Sequence, residues 1–235
     1  MVGFFTYFSR KLTMKISPPT TEAELRSRAN AIAGKTLQEL ANICMEEVPT
    51  NLLRAKGWVG QLIEKILGAN AMNLDQPDFL NLAIELKTLP LTSLGLPCES
   101  TYICTAPIPP HDPDWEHSRV WRKMAKILWV PVESTAGKPL LAQRIGTPIL
   151  WSPSTSIQSA LRQDWEELTE LMTLGHFEEL SAHKGQYLQI RPKAANAKTF
   201  IKVMNHLGQT ISIVPKGFYI RTSLTKQIIE QHYTI

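Results

Sequence analysis

The chain of 235 residues has no apolar run near the roughly 20 residues that a membrane-spanning helix needs, so a helical membrane protein is excluded. Its three cysteines, Cys44, Cys98 and Cys104, are odd in number and show no CxxC spacing. That excludes a disulfide framework and a cysteine zinc site, and it suits reduced thiols in a cytoplasmic protein. The six histidines, at 111, 117, 176, 183, 206 and 232, show neither HxH nor HExxH spacing, so no metal is assigned to them. Repeats and low-complexity tracts are missing as well. No secretory leader is expected, because MVGFFTYFSRKLTMK places its apolar residues before its basic ones, the reverse of a signal peptide. Residues 1–13 read as an upstream extension ahead of the more usual start MKISPP, and residues 1–17 as an extension outside the folded unit.

What is present describes an ordinary globular protein: 43% hydrophobic and 20% charged residues, long enough to bury one large core or two lobes. The net charge of +4 is modest, but it is unevenly spread. Residues 176–235 hold eight Lys and Arg against three acids, while the first 175 hold 17 against 18. A polyanionic partner for the C-terminal part fits this, and so does a plain solvated surface.

Local signals predict a mixed α/β fold. Thr21 to Glu24 and Thr36 to Glu39 read as capping boxes that open two helices, and a third, WVGQLIEKILG, follows Gly57. A strand is expected over DFLNLAIELKTL, stopped by Pro90, and another over ESTYICTA, 99–106. The Pro-rich loop 107–114 reads as a hinge between an arm of residues 18–113 and an arm of residues 114–235. Beyond it come a helix at 115–126, the strand ILWVPVE and a long amphipathic helix at 157–174. A hairpin is expected over FEELSAHKGQYLQIRPK, a helix over AANAKTFIKVMNHLG, a second hairpin over TISIVPKGFYIR turning at Pro215–Gly217, and a last helix at 224–232.

The chemistry concentrates in PDFLNLAIELKTLP, 77–90. Strand periodicity points Glu85 and Lys87 the same way, roughly 6.6 Å apart. A bare carboxylate on a half-buried strand is costly, and a bend at the strand entrance brings Asp78 beside Glu85. Two converging carboxylates repel, and a divalent cation relieves that repulsion; oxygen donors select magnesium or manganese. Lys87 can then hold a water or neutralise a phosphate, and Glu64, on the helix before, can border the same site. The spacing is loose, and a surface Glu85–Lys87 pair worth about a few tenths of a kcal/mol fits the same residues. On the C-terminal side, Arg191 and Lys193 alternate on one strand, suited to guanine O6 and N7, and Tyr219 can press on adenine N6, where an added methyl group would clash. Lys184, Lys198, Lys202 and Lys216 read as phosphate contacts or plain surface, and the tryptophans as core.

Longer strings carry a resemblance. KGWVGQLIEKILGA, DFLNLAIELKTLP, ILWVPVE, ILWSP, DWEELTELM, YLQIRPKAANAK and PKGFYIR, in that order, resemble the MutH family of DNA mismatch repair endonucleases from about residue 18 to the end. The family is similar to type II restriction enzymes that cut GATC. The resemblance implies a restriction-endonuclease-like core, a mixed sheet flanked by helices, in a two-armed clamp around a DNA cleft. It implies magnesium-dependent nicking of the unmethylated strand, 5′ to the guanine of hemimethylated GATC, by a cytoplasmic monomer that MutL activates and MutS reaches indirectly. It places the catalytic motif on Asp78, Glu85 and Lys87, with Glu64 as the helix-borne acid and Lys56 and Lys123 as cleft lysines. Arg191, Pro192, Lys193 and Tyr219 fall in the DNA-reading segment, and Tyr102 stands where the family wedges an aromatic ring between bases. The alternatives are a GATC restriction enzyme that cuts both strands and a DNA-binding module without catalysis.

Overall fold

The computed structural model describes residues 16–50, 57–71, 75–193 and 199–233. Lys56, Lys198 and residues 1–15 of the expected extension lie outside them. The fold is mixed α/β, as the sequence predicts. Its organising element is a three-stranded sheet: β1 (Glu85–Leu91) runs parallel to β3 (Ile127–Glu133), and β4 (Ile149–Trp151) pairs antiparallel to β3. Side chains alternate across these strands, so the sheet has two apolar faces and a core on each.

Leu86, Leu128, Val130 and Val132 face the first core. It is closed by α1 (Glu22–Ile32), α2 (Leu37–Ile43) and α3 (Trp58–Leu67). Thr36 and Glu39 make the expected reciprocal capping box, whereas at α1 only half of it forms: Thr21 accepts from the Glu24 amide, but the Glu24 carboxylate accepts from Thr20. Leu89, Ile127, Trp129, Ile149 and Trp151 face the second core. There they meet α4 (Arg119–Met124), α5 (Thr155–Thr173), α6 (Thr222–His232) and a second sheet. That sheet is antiparallel, ordered β2 (Thr101–Ala106), β8 (Lys216–Ile220), β5 (Leu188–Pro192), while β6 (Ile201–Met204) and β7 (Thr210–Ile213) form a separate hairpin. Each Leu or Ile fully buried on either side contributes about 1.5–3 kcal/mol, which is why the sheet sits between two cores. Glu85 and Lys87 share the face of Leu89, at the edge strand, where the two cores part.

Several expected elements differ. The strand predicted from Phe79 starts only at Glu85, because Leu80–Leu82 form a 3-10 turn and Ala83 takes φ 52°. Pro90 does not end it; among the described residues β3 is the one named strand that pairs with β1, and on the outer edge of β1 only the isolated Leu91–Pro97 bridge forms, so a residue without an N–H is tolerated there. The helix predicted at 115–126 is confined to Arg119–Met124, where Ser118 caps it by accepting from Trp121 N. The 177–193 hairpin does not form: turns fill 176–187, and β5 pairs with β8 instead. In place of the helix predicted over 194–208, the described residues from 199 form β6 and the turn into β7; Asn205 Oδ1 accepts from the Leu207 and Gln209 amides. The predicted hairpin over 210–221 is split, with β7 on β6 and β8 between β2 and β5. For β5 and β8 a distant partner replaces the local one, because pairing them with each other and with β2 packs all three on the second core.

Candidate active site

The short turn at the head of β1 brings the two acids together. Phe79 and Ile84 exchange both backbone hydrogen bonds, at 2.9 and 3.3 Å, so Asp78 just before and Glu85 just after become neighbours. Asp78 Oδ2 accepts from the Leu86 amide at 2.8 Å. The Asp78 carbonyl accepts from Asn70 and Ala71, beyond the end of α3. That helix buries Leu62, Ile63, Ile66 and Leu67 and leaves Glu64 on the wall of the same pocket.

Glu85 is 1% exposed, and such a carboxylate persists only with partners. It has two. Lys123, 5% exposed on α4, donates from Nζ to both Glu85 oxygens at 2.9 Å and to the Gln76 carbonyl at 3.0 Å. Lys87 Nζ donates to Glu85 Oε1 at 2.5 Å. Burial, then the charge of Glu85, pushes the Asp78 carboxyl above its ordinary range. Burial, then Asp78, does the same to Glu64. For Lys87 burial opposes the charge, but Glu85, Asp78 and Glu64 outweigh it and the net shift is upward. At neutral pH Lys87 is therefore an ammonium, a donor and a positive charge rather than a base. Cys104 lines the pocket too, but burial pushes its thiol up to about 12, so it supplies no thiolate.

The donor chemistry fits a hard divalent cation. Magnesium is held through one or two carboxylates, with water and phosphate filling the rest, and Asp78 and Glu85 offer such a pair, strained by mutual repulsion. Glu64 stands beside them. Among the described residues, the group of three or more His, Cys, Asp or Glu donors lying within 4.8 Å of one another is elsewhere, at His176, Glu178 and His206.

This pocket, about 260 Å³, adjoins a cleft of about 710 Å³; Glu64, Lys87 and Tyr102 line both. The far wall of the cleft is the second sheet. Tyr102 and Tyr219 pair across β2 and β8, with ring centroids 5.3 Å apart and planes at 65°. Arg191 lies 5.8 Å from the Tyr219 ring centre, and Lys193 Nζ lies 3.4 Å from that of Tyr102. Each such cation–aromatic contact is worth about 0.5–2 kcal/mol and holds a cationic group in place. Gly217 makes room: a Cβ there would meet Tyr102 Cε2 at 3.0 Å and Tyr219 Cε2 at 3.3 Å. The structure thus gathers Arg191, Pro192, Tyr102 and Tyr219 on the wall of one cleft, while Lys193 lines the acid–lysine pocket beside Tyr102.

Sequence reasoning passed over three polar residues. Ser100 Oγ accepts from Arg191 at 2.6 Å and steadies it. Arg119 pairs with Asp75 at the pocket mouth, at 3.1 Å. Asp164, 5% exposed, accepts from the amides of Gln186, Tyr187 and Leu188 at 2.7, 2.7 and 2.8 Å, and so anchors the start of β5 to α5. Its signal was visible: it is an acid on the apolar stripe of Ile157, Leu161 and Leu168.

With an Asp, a Glu and a Lys gathered at the head of a central mixed sheet, the fold falls in the restriction-endonuclease-like class. Comparison with known proteins narrows this. A family model described as DNA mismatch repair enzyme MutH matches residues 67–164. The DNA mismatch repair protein MutH of Escherichia coli O6:K15:H31 (strain 536 / UPEC) is 44% identical over 221 residues, covering 94% of this chain and 96% of that protein. That of Yersinia pseudotuberculosis serotype IB (strain PB1/+) is 43% identical over 220 residues, covering 93% and 96%. The chain belongs to the MutH family of DNA mismatch repair proteins.

Proposed function

We propose that this chain is a magnesium-dependent endodeoxyribonuclease of methyl-directed mismatch repair. It nicks the unmethylated strand 5′ to the guanine of hemimethylated GATC, as a cytoplasmic monomer activated by MutL, with MutS acting upstream. The observation that carries the reading is the meeting of Asp78, Glu85, Lys87 and Lys123 in a pocket that opens onto the cleft lined by Tyr102, Tyr219 and Arg191. The arm of residues 18–113 supplies the acids and the arm of residues 114–235 the reading strand; Lys123 reaches back to complete the first.

Magnesium, or manganese in its place, would when bound offer charge to the scissile phosphate and lower the pKa of an attacking water. Asp78 and Glu85 would hold the ion, and Glu64, on the wall of the same pocket, would accept a hydrogen bond from a water there. Lys87, kept protonated by the surrounding carboxylates, orients the water and offsets the charge growing on the phosphate. Lys123 fixes the Glu85 carboxylate in one orientation. Arg191 and Lys193 donate to guanine, Pro192 shapes the strand end, and Tyr102 wedges against the bases. The edge of Tyr219 meets adenine N6 and rejects the methylated base.

The test is a nicking assay on hemimethylated, fully methylated and unmodified GATC plasmids, with and without magnesium and MutL. Nicks confined to the unmethylated strand, and absent in Glu85→Ala, are expected. Equal nicking by Glu85→Ala sinks the catalytic assignment, and double-strand cleavage of unmodified plasmid without MutL favours the restriction enzyme. DNA affinity should fall steeply with salt, and Arg191→Ala should weaken it.

A further inference from the structure

The end of α5 and the tip of the β6–β7 hairpin meet at a place that the cleft does not use. Gly175 follows α5 at φ 76°, and its carbonyl accepts from the His206 amide at 3.2 Å. A Cβ on residue 175 would stand 2.6 Å from that nitrogen, so the approach needs glycine. The contact sets two imidazoles side by side: the rings of His176 and His206 have centroids 4.5 Å apart and planes within 9°.

One carboxylate oxygen faces both. Glu178 Oε1 is 3.4 Å from His206 Nδ1 and 3.7 Å from His176 Nδ1. Glu179 Oε1 is 3.3 Å from His176 Nδ1. Donors bound at about 2.0–2.1 Å to a tetrahedral zinc stand about 3.4 Å from one another. The carboxylate–imidazole separations are close to the edges of that tetrahedron, and donor atoms of His176, Glu178 and His206 all lie within 4.8 Å of one another. The two turns are held by their own backbone hydrogen bonds: His176 N to Leu171 O at 2.9 Å, and Gly208 N to Asn205 O at 2.9 Å.

We propose that His176, His206 and Glu178, with Glu179 or a water as fourth donor, form a binding site for one divalent transition cation, zinc above all. Two imidazole nitrogens with a carboxylate oxygen favour zinc, cobalt, nickel or copper over magnesium. None of the four residues lines the acid–lysine pocket or the cleft, so this site is separate from the proposed catalytic one. The histidine side chains are each 32% exposed, which leaves the ion a way in. A bound ion clamps the β6–β7 hairpin to α5, the helix whose Asp164 also anchors β5.

The test titrates zinc, then cobalt, into the full chain in excess magnesium, which occupies hard oxygen sites. One zinc equivalent is expected, with affinity at least tenfold weaker in His206→Gln and in His176→Gln. Zinc should raise the Tm of the parent protein and not of either variant. The cobalt spectrum should lack the near-ultraviolet thiolate band that ligation by exposed Cys98 would add. Unchanged zinc affinity or Tm response in His206→Gln overturns the proposal, and so does a thiolate band abolished by Cys98→Ser. Should His206→Gln lower the metal-free Tm, His176→Gln and Glu178→Gln decide by the same criterion.

Discussion

Lys123→Met removes an amine from the pocket and keeps the aliphatic stem. The lost nitrogen donates three hydrogen bonds, two to Glu85 at 2.9 Å and one to the Gln76 carbonyl at 3.0 Å. With the side chains of Lys123 and Glu85 at 6% and 1% exposure, water does not replace it. Removing one partner of a buried ion pair costs about 3–5 kcal/mol, because the other charge stays behind. Lys87 still donates to Glu85 Oε1, which puts the expected loss at the lower end, about 3 kcal/mol. In a chain of this size each kcal/mol moves Tm by about 2–4 °C, so the fall should be about 6–12 °C. Thermal unfolding of the metal-free protein at neutral pH reads this directly. Glu85→Gln in the Lys123→Met background completes a double-mutant cycle, with a coupling above about 1 kcal/mol expected. A Tm change under about 2 °C, or strict additivity, would show that Lys123 does not hold Glu85 and would refute the reasoning.

Asp78→Asn should abolish nicking with little loss of fold. It should also flatten the pH dependence of metal-free stability. An acid whose native pKa is raised favours folding below its ordinary value, 3.8 for Asp78, and loses that contribution as pH rises through the raised value. Unfolding curves from pH 3 upward should therefore converge or cross between variant and parent, and parallel curves would contradict it. Asp164→Asn leaves at least one of three amides without its acceptor, at about 1–3 kcal/mol; DNA affinity should fall although the residue lies outside the cleft, as filter binding can measure. Iodoacetamide should label one thiol in the native protein, exposed Cys98, and all three after denaturation, which mass spectrometry counts.

Caps and periodicity were legible because their causes lie within a few residues. Thr36 and Glu39 are three apart, and their reciprocal bonds need nothing else. The stripe that makes α5 amphipathic, the continuous apolar run of β3 and the Asp78–Glu85–Lys87 spacing were legible in the same way. The functional types of side chain were thus set locally, and the family strings fixed their roles as expectations. Strand partners were not legible. β8 lies beside β2, more than 100 residues earlier, because burial against the second core, not turn chemistry at Pro215–Gly217, selects its neighbours. The same holds for Lys123 reaching Glu85 across 38 positions, and for His206 meeting His176 at the end of a helix. A residue's chemistry is carried by its own atoms and its near neighbours, so the chain alone settles it; which distant groups share one low-dielectric pocket is settled only when apolar faces find the packing that removes most surface from water.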